Sequence, residues 1–117
     1  MKCQAQTVAR APLSSTVSSQ TTPMSFLAVQ WHHTNPEDPI WLYSELNNER
    51  WEIRKVEVFA DGLHDWAEGG RSTGAAQLSA EPLPPFEEIA LQPDFTPREI
   101  SREEFEVVWR KATGNAA

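Results

Sequence analysis

One run of nine residues, 51–59 with the sequence WEIRKVEVF, constrains the fold more than any other part of the chain. Apolar residues favoured in strands alternate there with charged residues, which is typical of a strand with two different faces. Trp51 and Ile53 share one face, but Val56 and Val58 fall on the other unless one extra residue intervenes. We therefore predict the central strand of a small antiparallel sheet, with a β-bulge at Arg54–Lys55. A strand buried on both faces is the alternative.

Three further segments predict strands on either side of this run. Apolar and polar residues alternate along each of them, and turn-forming residues separate them. They are residues 26–32, 40–46 and 63–68. Asn47–Asn48 is expected to make a tight turn because Asn tolerates a positive φ, and Asp61–Gly62 is a second hairpin signal. Strands this close in sequence pair as neighbours in a meander, and a short extended piece at residues 76–78 is expected at the sheet edge.

Helix signals occur only towards the C-terminus. Pro84–Pro85 is expected to open a short helix over residues 86–91, since proline is tolerated in the first turn. Ser101 and Glu104 form a capping box for a longer helix, which Gly114 ends. Its apolar stripe consists of Phe105, Val108, Trp109 and Ala112. The sequence thus predicts an α+β fold, in which a four- to five-stranded antiparallel β-meander is packed by a C-terminal α-helix, plus one short helix.

The length of 117 residues allows one domain, which we place at residues 24–114. Residues 1–23 are rich in Ser, Thr and Gln and poor in large apolar residues, so we expect a disordered N-terminal tail or a misplaced start. Residues 115–117 are expected to be a C-terminal tail. The single cysteine, Cys3, rules out an intrachain disulfide and fits a cytoplasmic protein.

Charge and hydropathy limit the classes of partner. The net charge is -7, and the chain after residue 23 contains all 17 acidic residues. Such a surface repels phosphate, which disfavours direct nucleic-acid binding and favours a protein partner, especially a basic one. Solubility alone is the other explanation of the charge. Because there is no run of about 18 apolar residues, we expect no membrane span.

Motifs for metals, phosphate and catalysis are weak. His32 and His33 are adjacent, so on a strand they point to opposite faces and cannot ligate one metal ion without a bend. A histidine pair that faces solvent at the end of the strand is the simpler interpretation. The glycine-rich loop at residues 69–74 lacks the spacing and the lysine of a phosphate-binding loop. Arg71 and the hydroxyls after it could bind an anion, although a solvated loop is the simpler interpretation. We therefore predict no metal, no cofactor and no catalytic residue.

Aromatic residues are the better candidates for recognition. Trp41 and Tyr43 lie opposite the face of Ile40 and Leu42, so they are exposed if the helix covers only the latter face. Exposed Trp and Tyr are typical anchors of protein interfaces. A curled sheet that buries both faces is the alternative. The full set of candidate binding residues is Trp41, Tyr43, His32, His64, Trp66 and Arg71.

Several longer motifs add a family resemblance. They are residues 42–45 (LYSE), 51–59, 72–74 (STG), 84–89 (PPFEEI) and 100–106 (ISREEFE), with Trp109. The chain resembles, over about residues 25–112, a family of small bacterial proteins known as domain of unknown function 6881. The resemblance supports the domain limits and implies no activity.

We expect a non-enzymatic protein-binding module, comparable to an inhibitor or an immunity protein. One alternative is a small ligand-binding or hydrolytic domain that uses His32, His64 and Arg71, which would need these three in one pocket. The other is a homodimeric structural or interaction protein built by edge pairing or sheet stacking.

Overall fold

The computed structural model describes residues 24–114, which form a six-stranded antiparallel sheet and two helices. The strands are β1 (Ser25–Trp31), β2 (Trp41–Leu46), β3 (Glu52–Val58), β4 (His64–Glu68), β5 (Arg71–Ser72) and β6 (Phe95–Ile100), and the helices are α1 (Phe86–Ala90) and α2 (Arg102–Thr113). The strand order is β5-β4-β3-β2-β1-β6. The predicted α+β class, the meander and both helices are confirmed, and the sheet has six strands where four to five were predicted. The tails predicted at residues 1–23 and 115–117 lie outside the described residues.

Two strands were not predicted: the two-residue β5, and β6, which returns after α1 to pair with β1. The pattern of β6 gave no strand signal because Pro97 lies at its middle, and proline cannot donate to a sheet ladder. An edge strand tolerates proline when its nitrogen points away from the neighbour. The His32 N–H donates to the Asp94 carbonyl at 2.8 Å, which makes His32 and Asp94 a hydrogen-bonded pair. Because such pairs alternate with non-hydrogen-bonded pairs along an antiparallel ladder, the nitrogen of Pro97 points away from β1.

The β-bulge is present, but it lies one residue before the predicted position. Glu45 pairs with Arg54 while Leu46 pairs with Glu52, so Ile53 is the extra residue in β3. This register places the Glu52 carboxylate in a buried position opposite Leu46. Ile53 is partly exposed as a result.

Two predictions for the connecting segments are wrong. Residues 76–78 do not join the sheet edge; they belong to a strap, residues 73–85, that crosses one sheet face. The residue with positive φ in the β2–β3 turn is Arg50, at 69°, rather than an asparagine. Arg50 is held there because its Nη2 donates to the Pro84 carbonyl at 2.8 Å and its own carbonyl accepts from the Leu83 N–H. Asn47 shapes the turn through its side-chain oxygen, which accepts from the Trp51 N–H.

The strand register arranges one sheet face, the helix face, in three rows of directly paired residues. The covered row is Ile100, Phe26, Glu45, Arg54 and Glu68. The middle row is Arg98, Ala28, Tyr43, Val56 and Trp66. The open row is Thr96, Gln30, Trp41, Val58 and His64.

Helix α2 packs on the helix face, as predicted from its apolar stripe. Ser101 is the N-cap and forms the capping box with Glu104, and Gly114 ends the helix in the left-handed conformation. Phe105 is fully buried, with its ring 5.5 Å from that of Phe26. Trp109 meets Trp66 edge to face at 5.3 Å. The helix therefore crosses the sheet diagonally from β1 to β4.

Arg54 joins α2 to the sheet. Its Nε donates to the Glu45 carboxylate in the sheet, and its Nη2 donates to Glu106 Oε2 on the helix at 2.6 Å. The guanidinium carbon also lies 4.9 Å from the ring centroids of Phe105 and Trp109, within the range of cation–π attraction. Burial alone would lower the pKa of Arg54, but the hydrogen bonds to the two carboxylates outweigh it and raise the pKa. The hydrogen bond from Arg54 in turn lowers the pKa of Glu106.

The other sheet face, the strap face, is covered by α1 and the strap. Its apolar core consists of Leu27, Val29 and Ile89. Glu52, 6% exposed, accepts from the Ser79 N–H of the strap at 2.7 Å and from the Ser44 hydroxyl at 2.6 Å. Lys55 Nζ donates to the Gln77 carbonyl of the strap at 3.0 Å. Polar side chains of β3 thus hold the strap against the sheet.

Replacement of Arg54 by Met should lower the free energy of unfolding by about 3–5 kcal/mol, because Glu45 would be left as a buried charge without a partner. Adding Glu45→Gln should restore much of the loss. Urea unfolding followed by tryptophan fluorescence measures both effects.

Arg71→Met is the matched control, since Arg71 and Glu68 form an ion pair in which Arg71 is 68% exposed. That change should cost less than about 1 kcal/mol. Equal costs for the two arginines would contradict the role given to Arg54.

Replacement of Pro97 by Ala should promote self-association, because it adds an outward N–H to an edge strand that otherwise offers few donors. Light scattering after size exclusion should show association of the variant at lower concentration than the parent chain. Pro36→Ala is the control, since it makes the same substitution at an exposed proline in the β1–β2 turn, away from the sheet edge. A Pro97→Ala chain that associates no more than this control would show that the proline does not protect the edge.

Candidate functional site

The open row is the part of the helix face that α2 does not reach. Within residues 24–114, the aromatic, ionic and hydrogen-bond contacts of α2 extend to the covered and middle rows, and none joins the open row. Thr96 is exposed, and Gln30, Trp41, Val58 and His64 are half-buried. This end of the sheet is therefore a shallow surface with an aromatic centre and polar flanks.

Trp41 and Tyr43 form the aromatic centre. Their rings stack with centroids 5.9 Å apart and an interplanar angle of 28°. The prediction that they lie opposite the face of Leu42 is confirmed. Their exposure was expected only if the helix covered the face of Leu42 alone. The structure instead places α2 on the same face as the aromatic pair, at the other end, while the strap and α1 cover the face of Leu42. The pair is accordingly half-buried rather than fully exposed.

Tyr43 lies at the border between the open surface and α2. Burial raises the pKa of Tyr43, and the nearby Glu104 carboxylate adds to this, while the Arg98 guanidinium opposes it. Arg98 and Glu104 are themselves paired at 3.3 Å, between Nη1 and Oε2. The first turn of α2 therefore places one ion pair directly beside the aromatic centre.

The two adjacent histidines have separate roles in the structure. His32 is exposed and its Nε2 lies 2.7 Å from the Thr96 hydroxyl, at the margin of the open row. His33 Nε2 donates to the Pro39 carbonyl at 2.8 Å, and its Nδ1 accepts from the Asn35 N–H. Both ring nitrogens of His33 are thus used to hold the β1–β2 loop, which corrects the interpretation of the pair as solvent-facing. Among residues 24–114, no group of three or more acidic, His or Cys side chains is placed to hold a metal ion.

His64, Arg71 and Trp66 do not form a site with His32. His64 lies in the open row of β4, three strands from β1 and about 14 Å across the sheet from it. Arg71 pairs with Glu68 in the covered row, and its guanidinium carbon lies 5.4 Å from the Trp66 ring centroid. Trp66 is also a packing partner of α2, so it belongs to the core. The pocket that a catalytic function of these residues would need is not formed.

The glycine-rich loop serves packing. The Thr73 hydroxyl donates to Asp65 Oδ1 at 3.0 Å, and the Trp66 N–H donates to the Thr73 hydroxyl. Gly74 has φ +55° and lies so close to the Asp65 carboxylate that a Cβ would overlap it. Glycine is therefore needed at position 74 because the Asp65 side chain leaves no room for a Cβ. An anion bound at this loop would be repelled by the negative charge of Asp65.

Sequence reasoning missed three residues of the open row, Gln30, Val58 and Thr96, and it also missed Arg98 beside them in the middle row. Gln30 and Val58 carried a usable signal, because strand alternation places them on the face of Trp41. Thr96 and Arg98 could not be found without β6. Together these side chains offer hydrogen-bond donors and acceptors and apolar area, but no nucleophile paired with a base. The arrangement suits contact with another molecule better than it suits bond-making chemistry.

The single tyrosine permits a direct test of this geometry. An ultraviolet titration of the parent chain should give a midpoint above the ordinary tyrosine pKa of 10.0. Arg98→Gln removes the opposing positive charge and should raise the midpoint further, whereas Glu104→Gln should lower it. The same midpoint in all three folded proteins would show that Tyr43 is not placed between these charges.

Comparisons with known proteins place the chain in a family without giving it an activity. Neither a search of curated proteins nor a search of solved structures found a match. In the part of the chain that the structure describes, no helix has both the length and the apolar character needed to cross a bilayer. A family model matches residues 25–114, which span all six strands and both helices. The chain therefore belongs to the family described as domain of unknown function DUF6881.

Proposed function

We propose that this chain is a non-enzymatic protein-binding module, comparable to an inhibitor or an immunity protein, and that the open row with Trp41 and Tyr43 is its contact surface. The observation that carries the proposal is the position of α2, which covers two rows of the helix face and leaves an aromatic pair at the boundary of the third. Half-buried aromatic rings offer contact area to a partner. Because they are already partly fixed, they lose little side-chain entropy when the partner binds.

The sheet edges support a contact through the face rather than through strand addition. β5 has two residues, and β6 presents Pro97 and the charged Glu99 at its outer edge. Such features discourage edge-to-edge pairing. They also argue against the edge-paired form of the homodimer alternative, while a dimer built by stacking two open surfaces stays compatible with the same geometry.

Charge favours a partner with a basic surface. The chain carries a net charge of -7, which speeds association with a positively charged protein and slows association with nucleic acid. The open row itself has no acidic side chain, so the attraction would act over distance while the aromatic pair makes the contact. A cytoplasmic setting is part of the proposal and is supported by the single cysteine. A bacterial origin rests on the family resemblance alone.

The test is affinity capture from the native host with the parent chain and with Trp41→Ala/Tyr43→Ala. The double variant should stay folded and lose at least about 90% of the captured partner, since removal of two anchor residues typically costs several kcal/mol of binding. Trp51→Ala is the matched control, because Trp51 is 40% exposed and lies outside the open surface. Capture at the parent level by the folded double variant would contradict the proposal, as would equal losses in the double variant and the control.

A further inference from the structure

A groove lies on the strap face, away from the proposed contact surface. It consists of two cavities, of about 190 Å³ and about 200 Å³. Val29, Leu42 and Leu83 line both cavities, so the two abut beneath the strap. Each alone is smaller than the usual ligand pocket, which begins at about 300 Å³. A molecule that occupies both would therefore be small and elongated.

The two ends of the groove differ in chemistry. Ile89 and Phe95 line the first cavity, which is almost entirely apolar. Ser44, Glu52 and Lys55 line the second. The groove thus changes from apolar to polar along its length, as required for a molecule with an apolar tail and a polar head.

The polar end has hydrogen-bonding capacity to spare on Lys55 and on the Glu52 carboxylate, which offers about four acceptor sites. Glu52 already accepts from the Ser44 hydroxyl and the Ser79 N–H. Lys55 Nζ makes one short hydrogen bond, to the Gln77 carbonyl, and lies 3.6 Å from Glu52 Oε1 and 3.9 Å from Glu57 Oε2. An ammonium group has three donors, so Lys55 can donate to a further acceptor in the groove.

The charges around Lys55 select against a charged head group. A carboxylate placed beside Lys55 would meet Glu52 and Glu57, two negative charges against one positive charge. An alkylammonium would be attracted by the two carboxylates but repelled by Lys55, and it has no lone pair with which to accept from the Lys55 ammonium. A neutral head that accepts from Lys55 and donates to a carboxylate avoids both repulsions. Primary amides and alcohols have this combination of donor and acceptor.

From this geometry we infer that the groove binds a small uncharged amphipathic molecule, with its apolar tail against Ile89 and Phe95 and an amide or hydroxyl head beside Lys55. Leu83 on the strap closes over the middle of the tail. The site is separated from Trp41 and Tyr43 by the thickness of the sheet, so it can be occupied independently of the contact surface on the helix face.

Titration of the full chain with hexanamide, followed by amide chemical shifts in NMR spectra, tests the inference. Saturable shifts should appear at Leu42, Leu83 and Ile89, and not at Trp109 on the opposite side of the sheet. Hexanoate and hexylammonium have the same tail length with a charged head, and they should bind at least about ten-fold more weakly, a difference of about 1.4 kcal/mol. Lack of saturation with hexanamide, or equal affinity for the three probes, would overturn the inference.

Variants locate the site. Leu83→Trp fills the junction of the two cavities and should weaken hexanamide binding at least about ten-fold. Leu63→Trp is the control, because Leu63 is 58% exposed in the β3–β4 turn and the same change there should leave the affinity unaltered. Lys55→Met should weaken hexanamide and abolish the preference over hexylammonium. Undiminished binding of hexanamide by a folded Leu83→Trp variant would show that the groove is not the binding site. If that variant does not fold, the inference is tested by comparing the affinities of hexanamide, hexanoate and hexylammonium for the parent chain.

Discussion

The ion pairs and ring contacts of Arg54 determine how the helix face is divided. One guanidinium donates to Glu45 in the sheet and to Glu106 on α2, and it lies against the rings of Phe105 and Trp109. Because Arg54 belongs to the covered row, α2 is held over that end of the sheet. The diagonal path of the helix then reaches Trp66 but leaves Trp41 and Val58 beyond its contacts. The open surface is thus a consequence of where one buried cation is placed.

The strap face follows a different principle. It has a small apolar core around Val29 and Ile89, and α1 is only five residues long, so a helix alone cannot cover it. A strap without regular structure completes the layer, held by Glu52, Lys55 and Arg50 through its backbone groups. Backbone groups held by long polar side chains do not pack as densely as interlocking apolar ones, which accounts for the groove beneath Leu83. The two faces therefore offer two kinds of surface, one aromatic and shallow, the other narrow and part polar.

Local patterns predicted the fold class, the meander and the C-terminal helix, because strand alternation and the Ser101–Glu104 capping box are signals within a few residues. They did not predict β6, since Pro97 is tolerated only through its outward orientation at an edge. Nor did they predict that Glu45 and Glu52 are buried, because the partners of a buried carboxylate lie far away in sequence. The candidate site was found in part. Trp41 and His64 share the open row and Tyr43 lies next to Trp41 in the middle row, whereas Trp66 packs under α2 and Arg71 pairs with Glu68 at an exposed position. Only the strand register reveals which candidates are neighbours.

The central claim is that α2 leaves the Trp41 end of the helix face free for a protein partner. Photo-cross-linking in the native host tests it most directly, with a photoreactive amino acid at Val58 in the open row or at Val107 on the outer side of α2, which is 53% exposed. The account predicts a covalent adduct with a different protein from position 58 and none from position 107. An adduct from position 107 alone, or only an adduct between two copies of this chain from position 58, would contradict it.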